Sequence, residues 1–101
     1  MQHQGVKLVT IICESALERL IARDLIDEIG AKGYSVTDVR GRGARGEQDA
    51  RWAPSSNVRF EVLCETERAQ RAIDTLFAKY SKNYGMVAWM VDVEVSRGFN
   101  F

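Results

Sequence analysis

The densest run of chemically expressive side chains lies between Val39 and Asn57, where glycines at 41, 43 and 46 are interleaved with Arg40, Arg42 and Arg45. Glycine lets a backbone approach a ligand closely, and successive N–H groups in such turns form anion-binding concavities. Arg42 and Arg45 add planar guanidinium forks suited to phosphate or carboxylate-like anions. The combination reads as an anion cradle. A flexible, solubilising loop would have the same composition, and neither a P-loop nor a G-x-G-x-x-G run opening a helix is present. Position favours the cradle, because these glycines end a strand-like segment instead of interrupting a polar linker. Further along, Trp52 beside Arg51 and Pro54 suits either an anchor for a partner protein or packing within an oligomer of the chain itself.

Elsewhere the chemistry is sparse. Cys13 and Cys64 stand far apart with no CxxC or Cys/His cluster around them, which predicts reduced, partly buried thiols and no metal site. His3 is the sole histidine and sits at the start of the chain, a poor place for a catalyst. Asp92 and Glu94 share one face of a predicted strand near its end, where paired carboxylates are solvated. No nucleophile adjoins a base, so catalysis is not predicted.

The elements that must position the glycine–arginine run follow from periodicity. Val6 to Cys13 is β-branched and nearly continuously apolar, a strand buried on both faces or within an oligomer. Ser15-Ala16-Leu17-Glu18 fits a capping box. After it Leu17, Ile21, Leu25 and Ile29 recur every four residues, with Glu18, Arg19, Arg23, Asp24, Asp27 and Glu28 on the other, solvated faces. Gly30 suits the left-handed position that closes a helix near Ile29. Ser35 to Arg40 predicts a second strand leading into the long loop, and Val58, Phe60 and Val62 alternate with Arg59 and Glu61 in a third. Thr66 is the expected N-cap of a second helix to about Lys79, carrying Ala69, Ala72, Ile73, Leu76, Phe77 and Tyr80 at spacings of three and four. Met86 to Val95 predicts a fourth strand, with Trp89, Met90 and Phe77 assigned to the core. The order is βαββαβ, an α+β ferredoxin-like arrangement with both helices on one sheet face and right-handed crossovers. The other face is apolar enough to need cover, which points to an oligomer.

At 101 residues and 46% hydrophobic, the chain fits one domain covering 1–101. Its fourteen basic and fourteen acidic side chains cancel, leaving no global field to draw it to nucleic acid or an anionic membrane. The longest apolar run, Met86 to Val91, is far short of the ~20 residues that span a bilayer. Residues Met1 to Gly5 lack the regions of a signal peptide, so a cytoplasmic protein is expected. A connection as long as the one from residue 41 to 57 is uncommon where loops run to roughly 4 to 6 residues, which marks it as functional.

Three segments carry a family resemblance, which extends from Lys7 to Val95. Gly33-Tyr34-Ser35-Val36-Thr37-Asp38-Val39-Arg40-Gly41-Arg42-Gly43-Ala44-Arg45 resembles the strand and glycine turn at the base of the T-loop in PII signalling proteins. Ser56-Asn57-Val58-Arg59-Phe60-Glu61-Val62-Leu63 resembles the strand returning from it. Asn83-Tyr84-Gly85-Met86-Val87, with Asp92-Val93-Glu94-Val95, resembles the segment that meets the T-loop base across the subunit interface. The chain is thus similar to the PII superfamily, and within it to the PII-like proteins associated with carboxysomes and with bicarbonate transport.

That resemblance implies a homotrimer with adenine nucleotides in clefts between subunits. Gly33 and Ser35 would sit near the adenine, backbone around Gly85, Met86 and Val87 would complete its pocket, and Gly41, Gly43 and Arg45 would cradle phosphate. Departures narrow the expectation. The loop has no tyrosine for nucleotidylation, unlike nitrogen-sensing PII proteins. The segment before the last strand lacks the family's glycine-rich triphosphate loop with its lysine, which favours AMP, ADP or a cyclic nucleotide such as cyclic AMP over ATP. Gln48 stands where transporter-associated relatives often have a second arginine, and Ser96 to Phe101 lacks their cysteine-containing tail. The carboxysome-associated branch, with ADP or AMP and bicarbonate as inputs, therefore fits best. Arg42 or Arg45 would hold the small anion, and Arg51 and Trp52 would contact a carboxysome or bicarbonate-transport protein. Any membrane contact would come only through such a transporter.

Three alternatives remain at this level. A nitrogen-regulatory PII-type sensor shares the fold. An RNA-binding ferredoxin-like module would need aromatics on the open face of its central strands, and the third strand offers one Phe amid Arg and Glu. A small phosphatase of the same strand order would need an arginine-bearing loop after the first strand, where Cys13-Glu14-Ser15-Ala16 has none.

Overall fold

The computed structural model describes residues 5–41 and 56–96. Within them, four strands form one antiparallel sheet: β1 (Val6–Glu14), β2 (Ser35–Val39), β3 (Asn57–Glu65) and β4 (Met86–Asp92), in the spatial order β2-β3-β1-β4. The expected α+β βαββαβ order is observed. The registers place Ile11 opposite both Phe60 and Ala88, and Thr10 opposite both Glu61 and Trp89. Alternation then assigns one face to Val9, Ile11, Cys13, Val58, Phe60, Val62 and Cys64, all buried beneath the helices. The opposite face carries Leu8, Thr10 and Ile12 in β1, Arg59, Glu61 and Leu63 in β3, and Val87, Trp89 and Val91 in β4.

The first helical segment opens with a 3-10 turn at Ser15–Leu17, continues as α1 (Glu18–Arg23), and widens to a π-type stretch over Asp24–Ile29. Its apolar repeat explains the widening. A strict four-residue repeat drifts about 40° per step around a 3.6-residue helix, and wider i→i+5 turns drift the other way. The combination keeps Leu17, Ile21, Leu25 and Ile29 on one face, each fully or almost fully buried. Gly30 closes the segment at φ 83°. The second helix, α2 (Thr66–Tyr80), buries Ala69, Ala72, Leu76 and Tyr80, and Arg71 donates to the Ile29 carbonyl at 2.6 Å, satisfying the far end of the first helix.

Several local expectations are corrected. The capping box does not form: Ser15 Oγ donates instead to the Ser56 carbonyl at 2.9 Å, tying the returning end of the loop to the end of β1. Thr66 is the first residue of α2, not its N-cap, and its hydroxyl donates to the Gly5 carbonyl at 3.1 Å. Asp24, expected on a solvated face, is only 3% exposed and hydrogen-bonded across to α2. β4 stops at Asp92 instead of Val95, so Asp92 and Glu94 do not share a strand face. Trp89, expected in the core, lies on the open sheet face at 44% exposure, while Ala88 and Met90 turn inward.

Candidate functional site

The start of β2 and the open face of β3 form a cleft. Pairing of Ser35 with Glu61 sets their side chains next to each other on the open face, with Leu8 and Leu63 paired one step further along. Tyr34, just before β2, tilts its ring against Phe60 at 5.5 Å between centroids, which anchors that edge to the core. Beyond β4, the Val93 amide donates to the Val6 carbonyl at 3.2 Å, and Val93, Glu94 and Val95 line the cleft together with Gly33, Tyr34, Ser35, Glu61, Leu8 and Leu63. The result is an open, mainly apolar groove whose lining includes two hydroxyl-bearing residues, Tyr34 and Ser35, and two carboxylates, Glu61 and Glu94. It suits a flat apolar ring that also offers hydrogen-bond donors.

Gly33 and Ser35 therefore line one cleft. Space around Gly33 is open: a Cβ added there would meet no atom within 4 Å. Gly41 follows β2 and is exposed. Gly85, Met86 and Val87 are elsewhere, at the entry to β4, with Met86 paired to Cys13 and Val87 to Ile12. Since β2 and β4 are the two edges of the sheet, three strand spacings of about 4.8 Å separate them, roughly 14 Å. Within one chain, Gly33 and Ser35 do not meet Gly85, Met86 and Val87. Arg42, Gly43, Arg45, Arg51 and Trp52 lie outside the described residues.

At the entry to β4 the Gly85 amide donates to Glu14 Oε2 at 2.6 Å. Glu14 was given no role by sequence, and Tyr34, Glu61, Leu63 and the Val93–Val95 segment, although they lie in the runs that carry the family resemblance, were not named as site residues. Glu61 looked like an outward residue of an alternating strand, and only the β2–β3 register shows that it faces a cleft. Among the described residues no three His, Cys, Asp or Glu side chains converge as a metal would need. Both cysteines are free and buried. Burial first, then the neighbouring Glu14 and Glu18 charges, push the Cys13 thiol up to about 12, and burial also raises Cys64. Neither thiol is poised as a nucleophile. Among the described residues no helix is long and apolar enough to cross a membrane.

The nitrogen regulatory protein P-II family model matches residues 6–99. A PII-like signalling protein from Thermus thermophilus is 38% identical, with a TM-score of 0.74 over 92% of this chain and 91% of that one. The chain belongs to the P-II family and is a PII-like protein. CPII from Thiomonas intermedia K12, solved with ADP, AMP and bicarbonate, has a TM-score of 0.75 at 22% identity, covering 95% of this chain and 100% of that one. A DUF3240 family protein from Shewanella baltica shares the fold at 13% identity and a TM-score of 0.72, over 96% and 99% of the two chains.

Proposed function

We propose that this chain, as a single PII-like domain, is a non-enzymatic signalling subunit that binds ADP or AMP in clefts between the members of a homotrimer. The observation that carries the proposal is the separation of the two halves of the expected site onto opposite sheet edges. A neighbouring subunit can bring its own Gly85, Met86 and Val87 to the cleft at Gly33 and Ser35, and the exposed row of Val87, Trp89 and Val91 provides apolar surface for that contact. Glu61 lines the cleft with Ser35 and Leu63, and there it would accept from the exocyclic amine of an adenine. Gly41, Gly43 and Arg45 would hold the phosphate, and Arg42 or Arg45 a bicarbonate.

The finer reading is a cytoplasmic sensor of inorganic carbon. Nucleotide and bicarbonate would order the loop of residues 41–57, which holds the ligand more tightly when ordered than when free. The ordered loop would present Arg51 and Trp52 to a carboxysome or bicarbonate-transport protein. The ligands carried by the Thiomonas neighbour make ADP, AMP and bicarbonate the first candidates. An RNA-binding role draws less support, because Phe60 faces the helices and β3 shows Arg59, Glu61 and Leu63 on its open face.

Calorimetric titration with AMP, ADP, ATP and cyclic AMP, each with and without bicarbonate, tests the proposal beside an Arg45→Ala control. It expects binding of AMP or ADP, tightened by bicarbonate and weakened by Arg45→Ala. Absence of binding for every nucleotide would overturn it and leave the loop as a protein-docking arm.

A further inference from the structure

We propose that Arg59 holds the phosphate nearest the ribose, on the path that leads from a base at Ser35 and Glu61 toward Gly41 beyond the end of β2. This rests on the nucleotide reading above and adds a cation that the lining of the groove does not supply.

The strand registers place the parts. On the open face Ser35 of β2 stands opposite Glu61 of β3, and the next pair on that face toward Gly41 is Thr37 opposite Arg59. The same row continues through Ile12 of β1 to Val87 of β4. A strand rises about 3.4 Å per residue, so Arg59 lies about 7 Å along β3 from Glu61, on the same face. That step is of the order of the ribose that separates a purine from its 5′-phosphate. A nucleotide whose amine meets Glu61 and whose phosphates head for Gly41 therefore passes the row of Thr37 and Arg59.

Charge asks for a cation there. Glu61 and Glu94 are carboxylates, and the groove they line has no basic residue. A phosphate brought within a ribose's length of Glu61 meets a like charge. Arg59 stands on the side of Glu61 from which that phosphate comes, and it is the one cation among the described strand residues of the open face. Its side chain is exposed and forms no ion pair among the described residues, so no internal carboxylate has to release it. The planar guanidinium matches two phosphate oxygens at once. Arg59 thus offsets the carboxylate that reads the base and holds the first phosphate short of the glycine turn.

Calorimetric titration of wild type, Arg59→Gln and Arg59→Lys with adenosine, AMP and ADP tests this. Adenosine carries base and ribose without phosphate, so it reports on the rest of the cleft. The proposal expects Arg59→Gln to weaken AMP and ADP about tenfold, the scale of one charge-assisted hydrogen bond, and to leave adenosine unchanged. Arg59→Lys, which keeps the charge without the fork, should recover part of that loss. The difference between wild type and Arg59→Gln should narrow as salt is added. AMP binding unchanged in Arg59→Gln overturns the proposal and leaves the nucleotide reading intact. An equal loss for adenosine and AMP also overturns it, making Arg59 a support of the cleft or of the trimer. Where adenosine binds too weakly to titrate, salt decides, and a loss that salt does not narrow overturns the proposal. Wild type that binds neither AMP nor ADP overturns both readings.

Discussion

Tyr80, the last residue of α2, donates its phenolic hydrogen to the buried Oδ2 of Asp24 at 2.5 Å, joining the two helices across 56 positions of sequence. Lys79 braces the same carboxylate at 3.1 Å and reaches Glu28 at 2.8 Å. Burial alone would raise the Asp24 pKa. The hydrogen bonds from Tyr80 and Lys79, with the Lys79 and Arg23 charges, outweigh it and hold the carboxyl below its ordinary value. Burial first, and the bond to Asp24 second, push the Tyr80 hydroxyl up.

This pair predicts an acid-labile helix junction. A carboxyl depressed in the folded state contributes stability that is complete above its unfolded pKa of about 3.9 and lost as pH falls through the folded value. Denaturant unfolding of wild type should weaken steeply below about pH 4, and Asp24→Asn should flatten that limb. An identical acid profile in the two proteins would contradict the assignment. Tyr80, with its pKa raised, contributes stability present below about pH 10 and lost as pH rises through its folded value. Tyr80→Phe should cost about 1 to 3 kcal/mol at pH 7, because it withdraws a donor from a buried carboxylate.

The thiols should be silent in the native protein. With Cys13 pushed up to about 12 and Cys64 also raised, an aromatic disulfide reagent at pH 8 should label neither until denaturant is added. Rapid labelling of the native protein at both sites would show that one face of the sheet opens readily.

Much of the architecture was legible because it is written in local periodicity. The four-residue repeat and Gly30 located the first helix and its end, and the alternation of Val58, Phe60 and Val62 located β3. What was hidden depends on partners distant in sequence. Ser15 and Thr66 carry good local capping signals, yet their hydroxyls find the Ser56 and Gly5 carbonyls, 41 and 61 positions away. Asp24 reads as one more surface charge until Tyr80 is placed beside it. In β4 both alternating rows are apolar, Met86, Ala88 and Met90 against Val87, Trp89 and Val91, so the pattern could not say which row faces the helices. Of the candidate site, Gly33 and Ser35 were drawn together by family resemblance alone, and the structure shows that they line the same groove. Glu61 and Glu14 were not legible, because each acquires its surroundings only from the strand registers.

The open face predicts an oligomer that one charge can dissociate. Trp89 is 44% exposed opposite Thr10, flanked by Val87 and Val91. Wild type should sediment as a trimer and Trp89→Glu as a smaller species with unchanged helical content, since burying an unpaired carboxylate at an interface costs several kcal/mol. A monomeric wild type would contradict the shared-site account.

The central claim is that the nucleotide cleft is built by two chains, and subunit complementation tests it most directly. Gly33→Trp blocks the β2 half, where added atoms meet open space, and Gly85→Trp blocks the β4 half. Neither glycine has a positive φ that would strain a side chain. Each variant alone should fail to bind AMP or ADP. After the two are unfolded together and refolded, mixed trimers contain interfaces in which both halves are intact, and binding should return at a fraction of the wild-type site number. Mixed trimers that form and bind no nucleotide, although wild type does, would place both halves of the site within one chain and contradict the account.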